Sequence, residues 1–106
     1  MGSIQPRQLF DWCVVPYSEL ATHSQRRVPF RLCADSAEMG AIMARELVDE
    51  IQAHTARGEP TRAIIPCGPS CWYQPFTDLV NRERVSLRDL HVFHMDECLD
   101  WQGREL

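Results

Sequence analysis

Asp96 and Glu97 are adjacent carboxylates at the end of an apolar run, within residues 90–101 that read LHVFHMDECLDW. A carboxylate within hydrogen-bond reach of a carbon acid beside a carbonyl or imine can act as general base, and burial lifts its pKa toward working pH. A second stretch with chemical content comes earlier. Cys67, Gly68, Pro69 and Ser70 form a compact turn after the segment TRAIIP, and Trp72, Tyr73, Phe76, Leu79 and Val80 then recur at helical spacing. A strand, a glycine-containing turn and a helix start present free backbone N–H groups to an anion. Ser70 can cap that helix or offer its hydroxyl to a phosphate oxygen, whereas Pro69 removes one donor. Each stretch alone also has a plain reading, because acids crowd solvated strand ends and single-glycine βα loops are common. Side by side, an anion cradle and a carboxylate base suit a phosphorylated substrate. A nucleotide is not indicated, since there is no GxGxxG and no Walker lysine.

The elements that must position these residues follow from spacing. Residues 28–34 (VPFRLCA) alternate apolar and polar positions and predict a first strand, with Pro29 at its start or on an edge. Asp35 with Glu38 three residues on is a capping box. Met39, Ile42, Met43, Leu47, Ile51 and His54 then recur at helical spacing, so the helix runs to about Arg57, where Gly58 and Pro60 stop it. Residues 61–66 and 90–95 predict two further strands, the second one buried through Leu90, Val92 and Phe93. A helix ending at 81–83 and a turn over 85–89, with Ser86 as a cap, separate the two strands. Strand, helix, strand, helix, strand implies a parallel sheet with ligands at the carboxyl ends of its strands. The expected fold class is α/β, a Rossmann-like open, mainly parallel sheet with helices packed on it. Residues 1–27 form a lead-in segment, with a short helix from Pro6 that Pro16 interrupts, and residues 28–106 form the α/β domain. Trp12 and Tyr17 are expected to cover the edge of a core.

Composition narrows the function classes. The net charge of −4 disfavours a general nucleic-acid binder, which needs a basic stripe to neutralise phosphates. All 11 basic residues are arginine, so no ammonium is available for a phosphate or a Schiff base. No run approaches a membrane span and no leader pattern opens the chain, so the expected location is cytoplasmic, with no membrane partner. Five cysteines, an odd number, suit reduced thiols buried near a site better than a disulfide framework. Cys67 and Cys71 are spaced more widely than the usual zinc CxxC pair, and no metal is expected.

Taken together, Ile65-Pro66-Cys67-Gly68-Pro69-Ser70, Val85-Ser86-Leu87 and Val92-Phe93-His94-Met95-Asp96-Glu97-Cys98 resemble the glucosamine-6-phosphate deaminase (isomerase) family. Its members carry a PTGxTP-type phosphate turn, a V-S segment and an FNMDEY motif. The resemblance extends over residues 62–101. It implies that Cys67, Gly68, Pro69 and Ser70 hold a substrate phosphate. It further implies that Asp96 moves a proton between C2 and C1 of an open-chain amino sugar phosphate, and that Glu97 lies beside the ring-binding region. Ammonia is then lost, leaving a ketose phosphate, with neither cofactor nor metal. His94 and Cys98 stand where the family has Asn and Tyr, and Cys67, Pro69 and Cys71 replace its usual turn residues, departures that leave a related amino sugar phosphate open as the substrate.

Members of that family are roughly twice as long, and a later DGH-type motif and a lysine complete their sites. The sequence is therefore expected to be an amino-terminal part, nearly inactive by itself. Its open sheet edge favours strand exchange or a homo-oligomer. Two other readings stay open. One is a 6-phosphogluconolactonase-like hydrolase, a group with DER where this chain has Asp96-Glu97-Cys98, and the other is a non-catalytic sugar-phosphate-binding or oligomerisation module.

Overall fold

The computed structural model describes residues 5–104, which divide after Leu32 into two compact units. In the first, Pro6 opens helix α1 (Pro6–Cys13), a position where its missing N–H costs nothing. Pro16 caps the single turn α2 (Tyr17–Leu20). The Trp12 indole N–H donates to Gln25 Oε1 at 2.9 Å. Tyr17 is largely exposed and covers no core.

The strand expected over residues 28–34 does not form. Val28, Phe30 and Leu32 alternate as a strand would, yet all three are exposed and no chain pairs beside them. Alternation specifies a strand only when a neighbour accepts its N–H groups, and Pro29 removes one of those. The Val28 carbonyl is taken instead by the Arg26 guanidinium at 2.8 Å.

The second unit holds helix α3 (Ser36–Ala56), strand β1 (Thr61–Ile65), helix α4 (Tyr73–Glu83) and strand β2 (Leu90–His94). The capping box forms with one shift of partner. Asp35 Oδ1 accepts the Glu38 N–H at 2.8 Å, while the Glu38 carboxylate accepts the N–H of Ala34. Gly58 at φ 70° ends α3 as expected. The buried line of α3 is Gly40, Ala44, Val48 and Ile51, about one residue around the helix from the stripe that the large apolar residues suggest. Close packing explains the rotation. A Cβ on Gly40 would meet the Cys71 carbonyl oxygen at 2.3 Å, so α3 lies directly against the loop that leads into α4. Small residues allow that approach, and Met39, Ile42, Met43 and Leu47 flank it half-buried.

The two strands are parallel and in register from Thr61↔Leu90 to Ile65↔His94. The pairing continues one step further, with the Met95 N–H donating to the Ile65 carbonyl at 2.9 Å. Thr61, Ala63 and Ile65 form the more covered face of β1, while Arg62 and Ile64 face out. β2 is not the buried strand its residue types suggest, because Val92 is 47% and Phe93 57% exposed. A strand with one neighbour and helices stacked mainly over that neighbour keeps much of its side-chain surface in water. The described residues thus form a mixed α/β arrangement with a two-stranded parallel sheet, and none of their helices is long and apolar enough to cross a membrane.

Candidate functional site

Parallel pairing places the carboxyl ends of β1 and β2 side by side, and with them the loops beginning at Pro66 and Met95. The loops are tied together directly. The Cys67 N–H donates to Asp96 Oδ1 at 2.8 Å, linking the first residue of the turn to the first acid of the pair. The Cys98 thiol donates to Cys67 Sγ at 3.5 Å. All five cysteines are exposed or half-exposed, contrary to the expectation of buried thiols, and Cys67 and Cys98 lie on loops outside the helix-covered core. The Cys67 thiol is pushed up to about 11, first by its hydrogen bond with Cys98, then by desolvation and by Asp96, so it stays protonated at neutral pH.

Glu97 turns away from Asp96. It accepts the Cys98 N–H at 2.9 Å through one oxygen, and its other oxygen lies 3.1 Å from His94 Nδ1. These contacts, the backbone N–H first and His94 second, hold the Glu97 carboxyl below the ordinary carboxylate range. Glu97 is therefore an ionised orienting group for His94 rather than a proton carrier near neutrality. A hollow of about 160 Å³ opens between the loops, lined by Ile65, Pro66, Cys67, Tyr73, His94 and Glu97. Ile65, Pro66, Tyr73 and His94 line the hollow without having been placed in the site by sequence reasoning, whereas Cys67 and Glu97 were, and Gly68, Pro69, Ser70 and Asp96 are not among its lining residues. Tyr73 reads as an apolar helical position, but as the first residue of α4 after a βα loop it sits on the rim where such loops gather.

Ser70 does not cap α4. The helix begins at Tyr73 with Trp72 at the cap position and no side-chain cap, and Ser70 instead offers its carbonyl to the Tyr73 N–H at 3.1 Å. The extra turn over 70–73 displaces the hydroxyl from the helix end. The backbone N–H groups of Gly68 and Ser70 form no hydrogen bond among the described residues, whereas the Cys67 N–H is committed to Asp96. The Gly68–Pro69 peptide is cis. No side chain comes within 4 Å of where a Cβ on Gly68 would lie, so the turn is open on that side.

The arrangement offers two open amide donors and a hydroxyl on one loop, a carboxylate on the next, and a histidine held by a second carboxylate between them. Among the described residues no three His, Cys, Asp or Glu side chains are arranged to hold a metal ion. The architecture defines an α/β unit with polar groups gathered at the carboxyl ends of two parallel strands. No family model matches the chain, and neither curated proteins nor solved structures give a significant match.

Proposed function

We propose that this rim binds a phosphorylated amino sugar in a site of the glucosamine-6-phosphate deaminase (isomerase) type, on a Rossmann-like sheet. The observation that carries the reading is the Cys67 N–H to Asp96 hydrogen bond, which joins the glycine-containing turn to the strand-end carboxylate. In the proposed chemistry the Gly68 and Ser70 N–H groups and the Ser70 hydroxyl hold the phosphate, with Cys67 and Pro69 shaping the turn. Anchoring the tail fixes the sugar carbons relative to Asp96. Asp96 removes the C2 proton of the open-chain 2-amino aldose and returns it to C1. The resulting ketose imine takes up water and releases ammonia, leaving the ketose phosphate. Asp96 is exposed, and the Cys67 N–H reaches it through one oxygen, Oδ1.

One observation favours a second reading, a non-catalytic sugar-phosphate-binding module: Glu97 is spent on His94 and Cys98, leaving Asp96 as the single carboxylate open to a reacting carbon. Because the resemblance implies an enzyme roughly twice this length, Asp96→Asn is made in the full-length polypeptide that carries these residues, where it separates the two. Glucosamine 6-phosphate binding is read by chemical-shift changes in the amides of residues 67–71, and turnover is read by ammonia release. In the enzyme, binding survives the substitution and turnover falls by orders of magnitude. In the module, binding survives and there is no turnover to lose. Wild-type protein whose 67–71 amides ignore millimolar sugar phosphate would sink both readings.

A further inference from the structure

Cys67 and Cys98 stand on different loops, 31 positions apart in sequence, and their sulfurs meet at 3.5 Å. The proposed reaction uses neither sulfur, only the Cys67 backbone and the acids beside it. Both residues are exposed, so a small oxidant reaches them without unfolding. A disulfide bond is about 2 Å long, so the sulfurs need approach by only about 1.5 Å. The loops that carry them are already held together by the Cys67 N–H to Asp96 bond and by the Met95 N–H to Ile65 bond just below it.

We propose that Cys67 and Cys98 are a redox-responsive pair that a peroxide closes into an intramolecular disulfide, stapling the loop after β1 to the loop after β2. One sulfur, as thiolate, attacks a peroxide oxygen and breaks the O–O bond, becoming a sulfenic acid as the other oxygen leaves and is protonated to water. The second sulfur then attacks the sulfenic sulfur, forms the S–S bond, and the hydroxyl departs as water with the remaining thiol proton. Two thiols lose two electrons and two protons, and hydrogen peroxide accepts them to give two waters. Because the shared hydrogen bond keeps Cys67 protonated at neutral pH, closure speeds up as the solution is made alkaline. A thiol reductant reverses it. The staple crosses the rim of the hollow and fixes the turn that precedes α4, and its formation does not depend on what the hollow binds.

The test treats the full chain with hydrogen peroxide, blocks remaining thiols by alkylation, digests at arginine and maps cross-links by mass spectrometry. The expected product joins residues 63–82 to residues 89–104 with the loss of two hydrogens, and a reductant splits it. Cys71 lies in the same first peptide, so the link must survive Cys71→Ser and vanish in both Cys67→Ser and Cys98→Ser. Oxidised wild type should also melt several degrees higher than reduced wild type, because a cross-link restricts the unfolded chain. A link through Cys71, a predominantly intermolecular link, or recovery of Cys67 and Cys98 as alkylated thiols or sulfinic acids would overturn the proposal. Wild-type mapping and fragmentation between Cys67 and Cys71 decide the matter even if a variant does not fold.

Discussion

Glu97 owes its lowered pKa first to the Cys98 backbone N–H and second to His94, and that order has a measurable consequence. In His94→Ala the Glu97 carboxyl should titrate higher than in wild type yet still below its ordinary value of 4.5, since the backbone donor remains. Carbon-detected NMR titration of the side-chain carboxyl reads this directly, and full return to the ordinary value would mean that His94 is the dominant partner. The sign for stability follows. A carboxyl whose folded-state pKa is depressed contributes stability that is complete above the unfolded-state pKa and is lost as pH falls through the folded value. Acidification should therefore loosen the 94–98 loop, where Glu97 holds two of its partners. Asp96 differs in kind, because its visible bond is to a neighbouring loop rather than to its own.

At the level of elements, Gly40 is the contact on which the site loop rests. Replacing it with alanine gains helix propensity, worth roughly 0.5–1 kcal/mol. It also drives a methyl group into the Cys71 carbonyl at 2.3 Å, a backbone atom that cannot rotate away. Overpacking of this kind costs about 1–3 kcal/mol, so the steric effect wins and Gly40→Ala should destabilise the protein in urea unfolding. The same substitution should shift the amide resonances of residues 67–72 more than those of β2, since α3 presses on the loop and not on the second strand. α3 and α4 are also clasped at their far side. The Arg45 guanidinium donates to both Glu83 oxygens, at 2.6 and 3.1 Å, which holds the Glu83 carboxyl below the ordinary range. Helix-to-helix contact thus sets where the turn between β1 and α4 lies, and through it where Cys67 meets Asp96.

For the molecule as a whole, the core is narrow. Ala44 and Val48 are fully buried and Ile51 nearly so, with Trp72 beside them, whereas Ile64 on the outer sheet face is 65% exposed. Val48→Ala should cost about 2 kcal/mol, because the transfer loss is compounded by a cavity between packed helices. Ile64→Thr should change stability by less than about 0.5 kcal/mol, since little of its surface leaves water on folding. Equal losses at the two positions in denaturant titrations would mean that the outer face is covered in solution. Ile64 and Phe93 are register partners on that face, so such coverage would extend across both strands.

Local chemistry alone determined much of the second unit. The Asp35–Glu38 cap and the Gly58 stop follow from residues near one another in sequence, and local residue patterns mark out both strands after residue 60, whereas the contact of the Cys67 turn with Asp96 spans 29 positions and depends on those strands pairing. Tertiary contact decided the rest. The 28–34 segment has strand alternation but no partner, β2 has core residue types but one neighbour, and Ser70 has cap chemistry but lies a turn too early. Gly40 gave no signal in sequence, because a missing side chain acquires meaning only when another backbone arrives in the space it leaves. Burial and pairing belong to two surfaces at once, and one segment of sequence describes only its own.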